Sequence, residues 1–336
     1  MQTGRVEFEG IPQQAAVFGA CDANVKAIEN ALGVAINLRD SNVEVRGEDE
    51  ANVKIAVDTL EALKRMYTNG ELINETMVSR TMDLVRYGGV EDTFQAMTNV
   101  VAITHRGQPV KCRTIGQKNY VKALQENTVT ICIGPAGTGK TYRAVAAAVT
   151  ALRRKEIDRI IMSRPAIEAG EERLGFLPGD LQSKVDPYLR PLYDALDELL
   201  GHEQVQRLME NRVIEIAPLA YMRGRTLNSA AVIIDESQNA SLPTLKMALT
   251  RLGEGSKIIL TGDITQIDLP RPSGSGLEKC ADLLKGIEGI AVVRLNNRDV
   301  VRHRLVREIV KAFEKEEEKQ KEKQPKPAAY RHGVRK

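Results

Sequence analysis

The stretch that decides the fold is GPAGTGKT, residues 134–141, which directly follows the apolar run Val129–Ile133. Its spacing, GxxxxGK[ST], is typical of a phosphate-binding loop when a buried strand precedes it and a helix follows it. Glycines let the backbone curl so that its N–H groups point inward, and a helix N-terminus favours negative charge. The sequence therefore predicts that a nucleoside triphosphate binds in this loop.

Two residues of the loop have specific expected roles. Lys140 supplies a positive charge to the β- and γ-phosphates, and the Thr141 hydroxyl is a candidate Mg²⁺ ligand. The residues predicted to bind the nucleotide are Gly134, Pro135, Ala136, Gly137, Thr138, Gly139, Lys140 and Thr141.

A second signal is AVIIDE, residues 231–236, an apolar run that ends in two acids. Acids at the carboxyl edge of a parallel strand are expected beside the phosphate loop. Asp235 is the candidate to hold Mg²⁺ through water, and Glu236 is the candidate to orient and deprotonate the attacking water. Two acids favour hydrolysis, and the sequence offers no acceptor pocket for a kinase.

Around these motifs, between residues 114 and 313, short β-branched apolar runs alternate with helical stretches. Such runs are typical of strands buried on both faces of a parallel sheet, with helices on both sides, so the predicted fold class is α/β. The predicted strands are Val129–Ile133, Arg159–Met162, Val213–Ile216, Ala231–Ile234, Lys257–Leu260 and Ala291–Leu295.

Composition limits the class of protein. A chain of 336 residues suggests two domains. With 48 basic and 45 acidic residues, the net charge of +3 does not by itself indicate nucleic-acid binding. Four scattered cysteines exclude a disulfide scaffold or zinc finger and suit a reducing cytoplasm. No apolar run reaches the roughly 20 residues of a membrane helix, so a cytoplasmic protein is expected.

The first 66 residues predict a separate α+β layer in the order strand, helix, glycine break, helix, two strands, helix, with the first strand at Val6–Glu9. This order resembles the KH-type RNA-binding module, whose GXXG loop clamps a nucleotide backbone. The corresponding loop is Gly19–Asp22, in which an acid replaces the second glycine. Like-charge repulsion opposes phosphate binding there, so backbone clamping and docking of a partner both stay open.

Two further segments have simpler compositions. Residues 67–113 predict a connector, mostly helical from Asn74 to Val101, with a turn at Gly88–Gly89. The charged tail contains too few apolar residues to offset its ordering entropy and is predicted to be disordered. The predicted domains are 1–66, 67–113, 114–313 and 314–336.

Together these motifs resemble the PhoH-like ATPases, relatives of superfamily 1 helicases. The resemblance covers nearly the whole chain. It rests on the segments IGQKNYVKAL, GPAGTGKTY, SRPAIEAGEERLGFLPGDLQSKVDPYLRPLYDAL, YMRGRTLNSAAVIIDESQNAS, LTGDITQIDLP and NRDVVRHRLV. It implies a RecA-like P-loop NTPase preceded by a KH-like domain, ATP and Mg²⁺ as cofactors, and a role in RNA metabolism. A YbeY-type endoribonuclease of ribosomal RNA maturation is the implied protein partner.

The resemblance also assigns further site residues. Gln117 matches the glutamine that reads adenine in helicase-like enzymes. Asp263 and Gln266 match their third motif. From its place on the loop that follows a predicted strand, Gln266 is a candidate sensor of the γ-phosphate, with a purely structural turn as the alternative, and Asp263 is the alternative to Glu236 as the base.

Arginines that follow strand ends suit phosphate binding. Arg302 is the candidate arginine finger, and the candidates for nucleic-acid contact are Arg164, Arg223 and Arg225. Phe176, Tyr188 and Tyr193 offer faces for base stacking, with core packing as the alternative.

The sequence contains one phosphate loop and about 200 residues of ATPase region, enough for a single lobe. A superfamily 1 helicase closes ATP between two lobes, so a completing arginine must come from the terminal helix or from a neighbouring subunit. We therefore expect a homo-oligomeric ring, a hexamer. ATP hydrolysis coupled to RNA remodelling, strand separation, and an ATP-switched binding module without unwinding all stay open.

Overall fold

The computed structural model describes residues 1–39, 42–165, 181–301, 305, 306 and 309. Contacts divide the chain into two units, Met1–Val300 and Val301–Lys336. Of the second unit the structure describes Val301 and the helical, exposed residues Leu305, Val306 and Ile309. The predicted arginine finger Arg302, the predicted disordered tail and Phe176 lie outside the described residues, as does the side chain of Tyr188.

The N-terminal region is an α+β layer. Its elements are β1 (Gln2–Glu7), α1 (Ile11–Phe18), α2 (Ala23–Leu32), β2 (Ala35–Arg39), β3 (Asn42–Gly47) and α3 (Glu50–Thr68). The strands form an antiparallel sheet in the order β1-β3-β2, and the predicted sequence of strands and helices is confirmed. Strand β1 begins earlier than the predicted Val6 because Gln2 and Thr3 pair with Gly47 and Arg46 of β3.

Helix α4 (Glu75–Thr98) and the hairpin of β4 (Val100–Ile103) and β5 (Pro109–Lys111) follow this layer. The helix is interrupted at Gly89, whose φ of 70° lies in the left-handed region, where a turn is predicted. Buried side chains of α4, Val78 and Val85 among them, share one apolar core with Leu60 and Leu63 of α3. The segment predicted as a connector therefore contributes to the N-terminal core.

The remainder of the first unit is an α/β layer structure. Its helices are α5 (Ile115–Glu126), α6 (Lys140–Arg153), α7 (Leu181–Leu200), α8 (His202–Glu210), α9 (Leu242–Leu249) and α10 (Leu277–Leu284). Its strands are β6 (Val129–Ile133), β7 (Arg159–Arg164), β8 (Ile214–Pro218), β9 (Ala230–Ile234), β10 (Lys257–Gly262) and β11 (Ile290–Arg294). All six predicted strands are present, with ends that differ from the predictions by at most two residues.

These strands form one parallel sheet in the order β11-β6-β10-β9-β7-β8. Side chains of β6 alternate between two cores: Cys132 belongs to one, and Val129, Ile131 and Ile133 belong to the other. Apolar cores on both faces explain the continuous apolar runs of the sequence. The predicted fold class, α/β with a parallel sheet, is confirmed.

The strand order also sets the position of the candidate site. Strand β10 lies between β6, which leads into the phosphate loop, and β9, which ends in the acid pair. The carboxyl ends of all three strands therefore meet at one edge of the sheet. None of the helices in the described part of the chain is long and apolar enough to cross a membrane.

Candidate functional site

The glycine-rich loop connects β6 to α6 in a tightly curled backbone. Gly137 and Gly139 have φ values of 83° and 74°, in the left-handed region that favours glycine. A Cβ atom on Gly139 would collide with the guanidinium of Arg143. The backbone N–H of Gly134 donates to the carbonyl of Gly262 in β10 at 3.0 Å, which fixes the start of the loop to the neighbouring strand.

The lysine of the loop lies inside its curve. Lys140 is buried, and its Nζ donates to the carbonyl oxygens of Gly134 at 2.6 Å and Pro135 at 3.0 Å. The Thr138 hydroxyl donates to the same Pro135 oxygen at 2.8 Å. The ammonium group therefore lies in the concavity of the loop, the position in which loops of this type hold a phosphate.

The two predicted magnesium ligands lie in direct contact. The Thr141 hydroxyl donates to Oδ1 of Asp235 at 2.6 Å, across 94 positions of sequence. The Thr261 hydroxyl of β10 donates to the same oxygen at 2.6 Å. Asp235 is buried, and hydroxyl and carboxylate oxygens are the ligands that Mg²⁺ prefers. These residues therefore fit a magnesium ion bound beside the phosphate loop.

One of the arginines that the sequence suggests for nucleic-acid binding, Arg164, forms ion pairs with the acids Asp235 and Glu236. Arg164, the last residue of β7, donates to Oδ2 of Asp235 from Nε at 2.9 Å and from Nη2 at 2.6 Å. Its Nη2 also lies 3.3 Å from Oε1 of Glu236. Arg164 is therefore part of the candidate nucleotide site in this structure.

The second acid occupies a strained turn at the end of β9. Glu236 has a φ of 52°, which is unusual for a residue with a side chain and is common at functional sites. Its side chain is 39% exposed, whereas that of Asp235 is 3% exposed. Glu236 can therefore meet water, while Asp235 is confined to a protein environment.

A buried glutamine that sequence reasoning missed connects this turn to the third motif. Gln238 Nε2 donates to Oε2 of Glu236 at 2.7 Å and to the carbonyl of Gln266 at 2.9 Å. Its Oε1 accepts from the backbone N–H of Asp263 at 3.0 Å. The signal that the sequence offered was the position of Gln238, two residues after the acid pair. The residues that Gln238 contacts in the third motif lie 25 and 28 positions further along the chain, so the sequence did not indicate them.

The third motif also contacts the phosphate loop. Oδ2 of Asp263 accepts from the backbone N–H of Ala136 and from Nε2 of Gln266, both at 2.9 Å. Its Oδ1 accepts from the Thr265 hydroxyl at 2.6 Å. An N–H group predicted to bind phosphate thus contacts a carboxylate, and the side chain of Gln266 donates to the same carboxylate oxygen.

Gln117 of α5 binds the backbone of the phosphate loop. Its Nε2 donates to the carbonyl of Thr138 at 2.9 Å, and its Oε1 accepts from the Arg113 backbone N–H at 2.7 Å. The same Oε1 accepts from Nη2 of Arg143 at 2.5 Å, and Gln117 is only 1% exposed. Burial lowers the pKa of the Arg143 guanidinium. Both ends of the Gln117 amide are therefore engaged within the protein, and its predicted contact with adenine requires these bonds to change.

The other two candidate arginines differ in environment. Arg223 is exposed, directly after the 3₁₀ helix Leu219–Met222. Arg225 forms a two-point ion pair with Glu215, at 2.5 and 2.7 Å, and this hydrogen bonding lowers the pKa of Glu215. Tyr193, a candidate for stacking, is half-buried against the core of the sheet.

A curled glycine loop with a buried lysine, a hydroxyl–carboxylate pair and a parallel sheet define a P-loop NTPase, a nucleotide-binding class of protein. The family model described as PhoH-like protein matches residues 109–314, and the chain belongs to this family.

Close relatives match nearly the whole chain. A PhoH-like protein of Bacillus subtilis is 47% identical over 89% of this chain and 93% of its own. One of Synechocystis is 46% identical over 94% and 95%, and protein PhoH of Escherichia coli is 37% identical over 88% and 82%. Among solved structures, the large terminase of a thermophilic bacteriophage aligns at 14% identity over 58% of this chain and 49% of that chain. Its TM-score of 0.36 is too low to bear on function.

Proposed function

We propose that this protein hydrolyses ATP in the presence of Mg²⁺ and couples hydrolysis to the handling or remodelling of RNA. The observation that carries the proposal is the contact between Thr141 and Asp235, at 2.6 Å, at the mouth of the phosphate loop. This contact brings together the hydroxyl and the carboxylate that a nucleotide-bound magnesium ion requires.

Each step of hydrolysis has a candidate group in the chain. Lys140 and the loop N–H groups bind the phosphates, and Thr141 with Asp235 hold the cation. Bound Mg²⁺ would neutralise charge on the β- and γ-phosphates. Glu236, the more exposed acid, is suited to take a proton from water at the open side of the site.

RNA as a second ligand is supported by the surface next to the sheet edge. Tyr221 is 50% exposed in the 3₁₀ helix that follows β8, and the exposed Arg223 lies two residues on. An exposed aromatic ring beside an arginine suits stacking on a base with a nearby phosphate contact. Separation of paired RNA strands would be an additional activity and has its own assay.

A second candidate function is an ATP-switched module that binds RNA, ribosomes or a ribonuclease without unwinding. The specific observation in its favour is the chain of contacts through Gln238, Asp263 and Ala136, which connects the phosphate loop to the exposed loop around Gln266. Near-neutral net charge also favours a switch over strong strand tracking.

We further propose that the active form is a hexameric ring in which an arginine, Arg302 or one of a neighbouring subunit, completes the site. A YbeY-type endoribonuclease is the proposed protein partner and the cytoplasm the proposed compartment. The four cysteines are free thiols, and three of them are buried, which suits a reducing environment.

The test is ATP turnover with and without structured RNA, for the wild type and for Lys140→Ala and Glu236→Gln. We expect a loss of at least about 100-fold in both variants, because removing one group that stabilises the transition state costs roughly 2.7 kcal/mol. Glu236→Gln keeps ATP binding, since the phosphate and cation contacts remain. Lys26→Ala, an exposed lysine of α2, is the matched control and keeps full turnover.

Two further assays separate the candidate functions. ATP-dependent displacement of a paired RNA strand supports a helicase. Partner or RNA affinity that differs between ATP and ADP, without displacement, supports the switch. Turnover that persists in Lys140→Ala contradicts the proposed ATPase.

A further inference from the structure

The carboxylate of Asp235 already accepts as many hydrogen bonds as it can. Its Oδ1 accepts from the hydroxyls of Thr141 and Thr261, and its Oδ2 accepts from Nε and Nη2 of Arg164. A carboxylate offers about four lone-pair positions. A cation, or a water bound to a cation, can therefore reach Asp235 only if one of these donors leaves.

Of the three donor residues, Arg164 is the one suited to leave. Thr261 is fully buried within β10, and Thr141 is itself a candidate ligand of the incoming cation. The side chain of Arg164 is 16% exposed and lies at the end of its strand. Its guanidinium also reaches Glu236, so its departure would release both acids together.

We propose that Arg164 is a built-in counter-ion that competes with Mg²⁺ for the acid pair. It offsets part of the negative charge of Asp235 and Glu236 before the cation binds, and it is displaced when Mg²⁺ engages Asp235. This inference rests on the proposed binding of magnesium and nucleotide in the phosphate loop. It assigns Arg164 as a positioning residue that sets how strongly nucleotide binding depends on Mg²⁺.

The physical basis is a thermodynamic linkage between two cations. Because Arg164 and Mg²⁺ use the same carboxylate, each lowers the affinity of the site for the other. Removing Arg164 removes the competitor but also one positive charge that attracts phosphate. The diagnostic quantity is therefore the ratio of ATP affinity with Mg²⁺ to ATP affinity in EDTA.

The test compares the wild type with Arg164→Ala and Arg164→Lys by calorimetric titration of ATP over a series of Mg²⁺ concentrations and in EDTA. We expect the affinity ratio to rise about tenfold in Arg164→Ala, corresponding to about 1.4 kcal/mol, and less in Arg164→Lys, which keeps the charge without the two-point geometry. We also expect Arg164→Ala to unfold at a lower temperature in EDTA and to be stabilised more by Mg²⁺ alone.

The matched control is Arg294→Ala. Arg294 ends β11 of the same sheet and forms a similar two-point pair with Glu278, at 2.9 and 2.7 Å. Its removal is expected to leave the affinity ratio unchanged.

An unchanged ratio in Arg164→Ala, with normal ATP binding, overturns the role of Arg164 and leaves the proposed function intact. An equal rise in Arg294→Ala also overturns it. If Arg164→Ala fails to fold by circular dichroism, the ratio in Arg164→Lys decides. A wild type that binds no ATP with Mg²⁺ overturns the proposed function itself.

Discussion

Two glycine-containing loops of this chain precede helices, and they differ in charge and in support. The loop at residues 134–141 leads into α6 with Gly139 as a left-handed N-cap, and the loop at residues 19–22 leads into α2 with Asp22 as a left-handed N-cap, φ 59°. Gly139 has no side chain with which to cap α6, and the side chain of Asp22 accepts no capping hydrogen bond from α2. The loop at residues 134–141 ends in a lysine and a threonine, whereas the loop at residues 19–22 ends in an acid.

The support beneath the two loops differs as well. The phosphate loop is held by Gln117, Asp263 and the backbone of Gly262, all buried. The loop at residues 19–22 is largely exposed, and its Cys21 adopts a φ of 53° that is costly for a residue other than glycine. A positive side chain and a buried frame therefore distinguish the loop at residues 134–141 from the loop at residues 19–22, although both loops precede a helix.

The largest difference between the two loops is expected when the same substitution is made at the acid beside each of them. Asp235→Asn removes the charge that the cation needs, and we expect ATP turnover to fall by at least about 100-fold, a loss of roughly 2.7 kcal/mol in the barrier. Asp22→Asn is expected to leave turnover within about twofold. The measurement is steady-state phosphate release at saturating Mg²⁺, and equal effects of the two changes would contradict the comparison.

A smaller effect is expected from the buried amides that support each loop. Gln117→Ala removes the bond to the Thr138 carbonyl, so we expect ATP and GTP affinity to fall together, by about fivefold, the effect of roughly 1 kcal/mol. Asn24→Ala, which removes the bond from Asn24 to the Val17 carbonyl beside the other loop, is the control and leaves both affinities unchanged.

The readout is the ratio of the two nucleotide affinities from calorimetry. A selective loss of ATP binding in Gln117→Ala would assign Gln117 to reading adenine, as the family resemblance implies. It would then require a rearrangement of the amide contacts seen here.

The smallest effect is expected from converting the N-terminal loop toward phosphate binding. Asp22→Lys replaces repulsion by attraction, and we expect affinity for single-stranded RNA to rise about threefold at low salt. We also expect the slope of log affinity against log salt to become steeper by about 0.7. Filter binding over a salt series measures both, and a drop in affinity on removing the acid would show that Asp22 itself contacts RNA.

The sequence predicted the sheet well because its strands are buried on both faces. The limits of β6 were correct, since Val129–Ile133 is apolar at four of its five positions and ends at the glycine loop. The start of β1 was wrong, because polar residues Gln2 and Thr3 join the strand only through pairing with β3. The packing of α4 into the N-terminal core was missed because tertiary contacts, not local pattern, determine it.

In the candidate site, too, local motifs were predicted and contacts between distant residues were not. Motif spacing brought the phosphate loop and Asp235 into one site, and the structure brings them into contact. The pairing of Arg164 with Asp235 spans 71 residues, and the contact of Asp263 with Ala136 spans 127. No local signal predicts which partner a guanidinium or carboxylate selects at that separation. Roles for Arg302 and for the acids in catalysis stay predictions.

The most direct measurement is calorimetric titration of ATP, with Mg²⁺ in excess, into the full chain and into Lys140→Ala. We expect one binding site per wild-type chain and an affinity at least about tenfold weaker in the variant, since the ammonium contact to phosphate is lost. Absence of ATP binding by the wild type, or equal affinity in both proteins, would contradict the assignment of the loop at residues 134–141 as the nucleotide site.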